Sequence, residues 1–298
     1  MQGIRLERSC EASSHAAWLA DAPASAGVSR LRARLYREAY AKHRHDTYTV
    51  CLTEQGVQAF DYRGTVHHSL PGQLVILHPD EAHDGRAVTA QGFAYRTLYV
   101  DPGRVFDAVR AIAPSHCALP FITNPVVTDR TLADVLTHAF DDTMEPLRAD
   151  ALVHAVALGL LRASSGEKAT APPRALDLVA LRKTSDFLTE NFRRVVRSVE
   201  LEKLCGLSRF ELCTQFKRRF GTSPYRYLLM RRLEHVREQL GHGVSLADLA
   251  VESGFADQAH MTRQFKAAFG LTPRRFAALR SADAAKVVPP LKNGCCAP

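Results

Sequence analysis

The sequence predicts a two-domain chain. An all-β N-terminal half with flanking helices, a sandwich or small barrel, precedes an all-α half built on a repeated helix-turn-helix. Three observations carry this. Residues from about 28 to 100 break into short β-favouring runs separated by turn signals. After Pro102 the apolar residues recur at helical spacing. Near the C-terminus one supersecondary pattern occurs twice, displaced by 49 residues. The expected boundaries are 1–163 for the first domain, 164–174 for a linker, 175–281 for the second domain and 282–298 for a disordered tail.

Residues 1–28 are rich in Ala and Ser and are expected to be poorly ordered or a peripheral strand. The strand-like runs that follow are LRARLYREAY, YTVCLTEQ, VQAFDYRG, LVILHP and FAYRTLYV. Turn signals at Arg63-Gly64, Pro71-Gly72 and Asp84-Gly85 separate them. Alternation along a strand puts Tyr95, Thr97 and Tyr99 on one face. Arg104–Ile112 reads as a short helix. Leu132, Val135, Leu136, Ala139 and Phe140 mark a second, and Ala149–Leu161 a third. These are expected to close the first domain by packing on the barrel. The segment SSGEKATAPPR, Ser164–Arg174, is small, polar and Pro-containing, and cannot build a core.

The clearer copy of the repeat is LADLAVESGFADQAHMTRQFKAAFGLTPRRF, Leu246–Phe276. Ser245 with Asp248 forms a capping pattern before Leu246, Leu249 and Ala250. Gly254 stands where a left-handed residue ends that helix. Asp257 caps the next, whose Met261, Phe265 and Phe269 repeat every four residues. Gly270 stops it, and Thr272-Pro273 opens another. In the first copy Leu212, Phe216, Lys217, Phe220, Gly221, Pro224 and Tyr227 fall on Met261, Phe265, Lys266, Phe269, Gly270, Pro273 and Phe276. Between the copies Leu229, Leu233, Val236 and Leu240 describe one connecting helix.

Composition bounds the function. Net charge is +8, and Arg174–Ser281 carries 20 Lys and Arg against 11 Asp and Glu, leaving the rest at −1. Such asymmetry is the footprint of a phosphate-binding surface. No apolar run reaches the length of a membrane span, and the N-terminus has no secretory pattern. Seven scattered cysteines without a CxxC pair fit a reduced, cytoplasmic setting.

The segments GLSRFELCTQFKRRFGTSPYRYL and GFADQAHMTRQFKAAFGLTPRRF give the second half its identity. Asp177–Leu279 resembles the paired helix-turn-helix domain of AraC-type bacterial transcription regulators. The run KHRHDTYTVCLTEQGVQAFDYRG…LPGQLVILHPDEAH is similar to the cupin-like effector domain that precedes it in many members. The resemblance implies operator DNA and a small-molecule effector as partners. RNA polymerase and a second copy of the chain are further candidates. It implies no enzymatic activity and no resident cofactor or metal.

Candidate DNA-reading residues lie off the apolar stripes of the two second helices. They are Arg209, Phe210, Cys213, Thr214 and Lys217 in the first unit, and Gln258, His260, Thr262, Arg263 and Lys266 in the second. Arg263 can pair bidentately with guanine and Gln258 with adenine, whereas the first unit is poor in strong base readers. Candidate effector ligands are His43, His45, Glu54, His83, Tyr95 and Thr97, where Tyr95 and Thr97 match effector-touching positions of the family. His43-x-His45 with His83 is similar to the metal motif of cupin enzymes. Yet Thr49 and Val50 stand where its glutamate would be, and Arg37 where its glycine would be. Metal ligation, pocket lining and a structural role are the three readings of these histidines. The competing functions are a cupin-type metalloenzyme with a DNA-binding tail and an architectural DNA binder without an effector.

Overall fold

The computed structural model describes residues 17–116, 118–140, 144–164 and 175–283. Residues 165–174 of the expected linker and 284–298 of the expected tail lie outside them. The N-terminal half holds β1 (Trp18–Ser25), β2 (Val28–Leu35), β3 (Glu38–His43), β4 (Tyr48–Gly56), β5 (Gln58–Tyr62), β6 (Thr65–Ser69), β7 (Leu74–Leu77), β8 (His83–Ala87), β9 (Phe93–Val100) and β10 (Val126–Val127). They form a six-stranded sheet in the order β1-β2-β9-β4-β7-β10 and a four-stranded sheet in the order β3-β8-β5-β6. All recorded pairings are antiparallel.

Two expectations are corrected here. The single run LRARLYREAY is two strands in two sheets. Arg37, at φ 56°, breaks the run so that β2 joins one sheet and β3 the other. Asp84-Gly85 is not a turn but lies within β8, where Gly85 lets the Tyr40 ring approach: a Cβ there would meet it at 3.3 Å. Arg63-Gly64 does turn. Both residues have positive φ, 52° and 79°, as a two-residue hairpin between β5 and β6 requires.

The long strands read as near-continuous apolar runs because both faces of the large sheet are covered. One face of β4, β7 and β9 (Tyr48, Val50, Leu52, Leu74, Ile76, Leu98 and Val100) packs under α1 (Pro102–Ile112), α2 (Arg130–His138) and α3 (Pro146–Ala163). The opposite face, with Cys51, Val75, Leu77 and Tyr95, turns into the barrel interior.

The C-terminal half is α4 (Leu178–Glu190), α5 (Ser198–Cys205), α6 (Arg209–Phe220), α7 (Pro224–Gln239), α8 (Leu246–Glu252), α9 (Gln258–Phe269) and α10 (Pro273–Asp283). The duplicated caps form as the sequence requires. Ser208 and Asp257 accept hydrogen bonds from backbone N–H groups of the first turns of α6 and α9. Gly221 and Gly270 end them at the same left-handed φ of 71°. The first unit has its own core of Leu181, Leu201, Leu212, Phe216 and Phe220. The second shares one: Met261, Phe265 and Phe276 belong to the same apolar cluster as Phe60, Tyr62 and Tyr95 of the barrel.

Candidate functional site

The barrel interior opens toward the helical half, and α7, α9 and α10 close it. The resulting cavity of about 70 Å³ is lined from the barrel by His43, His45, His83, Cys51, Tyr95, Thr97 and Tyr99. Met230, Glu234 and Arg237 of α7, Phe269 of α9 and Phe276 of α10 complete the wall. Five of the six expected effector ligands are therefore brought together. Glu54 is not among them. It lies on the opposite face of β4 from Thr49, Cys51 and Thr53. There its carboxylate is ion-paired with Arg32 at 3.1 Å and with Arg96. Strand parity is the reason: Thr49, Cys51 and Thr53 share one face of β4, and Glu54, next to Thr53 where the register shifts, falls on the other with Leu52.

Burial governs the chemistry of the cavity. It depresses the pKa of His43 and His45 well below the ordinary imidazole value, and the neighbouring imidazoles push in the same direction. His83 is lowered to about 4, also by burial. The three rings are therefore neutral at pH 7. The Cys51 thiol is pushed up to about 12, and the phenols of Tyr40, Tyr95 and Tyr99 are raised, all chiefly by desolvation. The Tyr40 and Tyr95 hydroxyls hydrogen-bond to each other. Among the described residues the Thr97 hydroxyl, 1% exposed, has only the Cys51 thiol beside it, and the buried Arg237 has an unpartnered Nε. An occupant carrying an acceptor group would satisfy both.

The sequence reading missed the cavity residues of α7. Met230, Glu234 and Arg237 recur at helical spacing beside the recognised stripe Leu229, Leu233, Val236 and Leu240. A second stripe on one helix was the available signal.

The candidate DNA-reading residues stand as expected on α6 and α9. Arg209, Phe210, Cys213, Thr214 and Lys217 are exposed, as are Gln258, Arg263 and Lys266. His260 and Thr262 are half-buried, with the His260 ring edge-on to Phe255 at 5.5 Å. Phe210 is 72% exposed, an uncovered aromatic where α6 begins.

Both helices are held against the barrel. The N–H groups of Ala41 and Arg44, at β3, donate to the Gly270 and Ala267 carbonyls of α9, each at 3.1 Å. This pairs the free edge of β3 and satisfies last-turn carbonyls of the helix in one contact. Arg219 of α6 makes a bidentate pair with Asp107 of α1 at 2.8 Å. Arg231 meets Asp46 at 2.9 Å, and Arg280 meets Asp21 at 2.6 Å.

Comparison with known proteins agrees with this layout. Residues 25–160 match the AraC-like ligand binding domain and residues 188–278 a helix-turn-helix domain. An uncharacterised HTH-type transcriptional regulator of Bacillus subtilis, YbfI, is 27% identical over 226 residues, 74% of this chain and 81% of its own length. The transcriptional activator RhaS of Klebsiella pneumoniae is 27% identical over 272 residues, 84% of this chain and 92% of its own. Among solved structures, ToxT of Vibrio cholerae shares the fold with a TM-score of 0.62 at 10% identity, over 86% of this chain and 99% of that one. A ToxT structure with bound unsaturated fatty acid gives 0.61 at 13% identity, over 88% and 98%. In the described residues no helix is long and apolar enough to cross a membrane.

Proposed function

The chain belongs to the AraC family of ligand-responsive, DNA-binding transcription regulators, and from that premise we propose that its effector occupies the cavity between barrel and helices while α6 and α9 read DNA. One observation supports this most directly: residues of α7, α9 and α10 form part of the cavity wall. An effector there touches the DNA-binding half itself. Its occupancy then biases where the recognition helices sit, because it contacts the helical half only when that half is docked on the barrel.

The cavity favours a small polar effector. Arg237 supplies a cation and Glu234 a carboxylate, and Thr97, Tyr95 and the imidazoles supply hydrogen-bonding groups. ToxT binds an unsaturated fatty acid. Here, in the docked arrangement, about 70 Å³ falls well below the roughly 300–1,000 Å³ of pockets for drug-sized molecules. A larger metabolite would have to displace the α7 and α9 wall, and such displacement is itself a signal.

On DNA, Arg263 pairs with guanine and Gln258 with adenine, each worth about 1–3 kcal/mol of discrimination. Arg209 and Lys217 of the first unit hold phosphate, and Phe210 meets a thymine methyl. Successive major grooves about 34 Å apart imply two sequence blocks separated by about ten base pairs. The effector domain is assigned to residues 1–163 and the DNA-binding domain to 175–281. A second copy of the chain and RNA polymerase are the partners such a regulator would meet on its operator.

The test is sequencing of the genomic fragments that purified protein retains at moderate salt. Enrichment of two blocks about ten base pairs apart supports the reading. Retention with no enriched sequence, with or without candidate effectors, would make the protein an architectural binder, and no retention would remove the DNA assignment.

A further inference from the structure

Three imidazoles converge in the cavity. One ring nitrogen from each of His43, His45 and His83 lies within 4.8 Å of the other two. The ring centroids of His43 and His83 are 4.3 Å apart, and those of His45 and His83 are 5.0 Å apart. Their hydrogen bonds share one pattern. Nδ1 of His43 bonds the Ala41 carbonyl at 2.8 Å, Nδ1 of His45 the Thr47 carbonyl at 3.3 Å, and Nδ1 of His83 the Glu81 carbonyl at 3.0 Å. A carbonyl oxygen only accepts, so Nδ1 of His43 and of His83 carries the proton and Nε2 keeps a lone pair. His45 Nδ1 also meets the Thr47 hydroxyl at 3.2 Å and takes the same tautomer when it donates to the Thr47 carbonyl. Backbone carbonyls that fix the tautomer and aim the other nitrogen are the usual outer shell of a metal-ligating histidine. Only His45 Nε2 has a protein partner in the described residues, the Thr49 hydroxyl at 3.0 Å.

We infer that His43, His45 and His83 bind one divalent first-row transition ion through Nε2, with the remaining coordination positions open to the cavity. A donor set of neutral imidazoles suits zinc, nickel, cobalt, copper or iron and not calcium or magnesium, which take oxygen. Metal–nitrogen bonds of about 2.0–2.1 Å put tetrahedral ligand atoms about 3.3 Å apart. One nitrogen of each ring already lies within 4.8 Å of the others, so ligation requires the rings to turn and close on the ion. Arg237 and Glu234 both line the same cavity, so the open position faces a cation and a carboxylate as well as the Thr97 hydroxyl.

The position of His43 gives the site a consequence. A Cβ added at Gly270, the C-terminal stop of α9, would stand 2.9 Å from His43 Nδ1 and 2.9 Å from the Ala41 carbonyl that this nitrogen bonds. Drawing His43 toward His83 therefore acts on the seam between β3 and the second recognition helix. This regulatory half rests on the effector reading of the cavity, whereas the metal site stands on the imidazoles alone.

The test uses tag-free, full-length, chelator-treated protein, titrated with cobalt(II) and then zinc(II). One equivalent of cobalt should bind with visible bands of a nitrogen- and oxygen-ligated four- or five-coordinate ion and no thiolate charge-transfer band. His45→Ala and His83→Ala should each weaken binding more than about a hundredfold, beyond the roughly 10–100-fold typical of outer-shell losses. Thr49→Val, which frees the His45 lone pair, should bind at least as tightly as wild type. No stoichiometric uptake by folded wild-type protein, a thiolate band, or unchanged uptake in both histidine variants overturns the site. If a variant fails to fold, the wild-type spectrum decides. The same samples are then run on an enriched genomic fragment with and without zinc. A several-fold shift in affinity, absent in His45→Ala, is expected, and metal binding without it overturns the regulatory half. Retained DNA binding without metal uptake sinks this inference and spares the regulator reading, while metal uptake with no DNA binding does the reverse.

Discussion

A proton on Nε2 of His78 would break its contact with Ile122 while Nδ1 stays between the Tyr62 hydroxyl and the Arg63 guanidinium. The Ile122 N–H donates to its Nε2 at 3.0 Å, and only an unprotonated nitrogen can accept. Burial, then the Arg63 guanidinium, lowers its pKa to about 4 from an ordinary 6.5. The folded state therefore refuses a proton that the unfolded chain takes. Stability is full above pH 6.5 and falls as the pH drops through the window from 6.5 to 4. The loss amounts to at most about 3 kcal/mol. Urea melts at pH 7 and pH 4.5 should show a steeper acid loss in wild type than in His78→Gln, and equal losses would sink the assignment. On the DNA side, Arg263→Ala should relax preference at one base pair, whereas Lys217→Ala should weaken all sequences alike and flatten the salt slope by about one. If selection with Arg263→Ala returns the wild-type motif, Arg263 reads no base. Glu54 shows what single-residue reasoning overlooks. Its charge made it a candidate ligand, but its parity on β4 had already placed it among the even-numbered residues, where Arg32 and Arg96 hold it.

At the scale of elements the duplicated helices were the most legible part of the chain. Caps, stripes and stops are local, and the same signals occur twice. Their equivalence is nevertheless incomplete. Gly206 and Gly254 occupy matching turns at φ 71° and 77°. A Cβ at Gly206 meets nothing within 4 Å, while one at Gly254 would stand 2.6 Å from the Arg193 carbonyl. Gly206 is there for its backbone angle alone, and Gly254 is also there for space. Gly206→Ala should therefore cost about 1–2 kcal/mol, the price of a left-handed alanine. Gly254→Ala should cost visibly more, because a backbone carbonyl cannot move aside cheaply. Thermal melts of the two variants test this, and equal losses would mean that the α8–α9 turn relaxes freely. The strands were harder to read because long-range pairing is invisible to periodicity. β3, β6, β8 and β10 were not separated as strands, and β1 was foreseen only as one of two readings of residues 1–28. In β3 the reason is physical: Arg37 passes the chain between sheets without any Gly or Pro to announce it.

Over the whole molecule the charge asymmetry has a second meaning. The sequence assigned the basic excess of the helical half to phosphate, but several of its arginines face the barrel. Arg219, Arg231 and Arg280 meet Asp107, Asp46 and Asp21, and Arg226 donates to the Arg44 carbonyl. Part of the positive charge is thus spent between domains and not on DNA. The pair at α10 is the most informative to break. Arg280 is bidentate to Asp21, whose side chain is only 4% exposed. Removing the cation leaves a buried carboxylate uncompensated, a loss of about 3–5 kcal/mol in comparable cases. Removing both charges leaves no such group and is far milder. Arg280→Gln should therefore undock the barrel from α10, seen as an increased radius of gyration in solution scattering. Effector-free DNA affinity should change with it, because α9 loses its support at β3. Arg280→Gln combined with Asp21→Asn should recover most of the compact form. A single variant as compact as wild type would show that the apolar seam around Phe276 and Phe269 holds the halves together without the ion pair. The effector would then have to work against packing rather than charge.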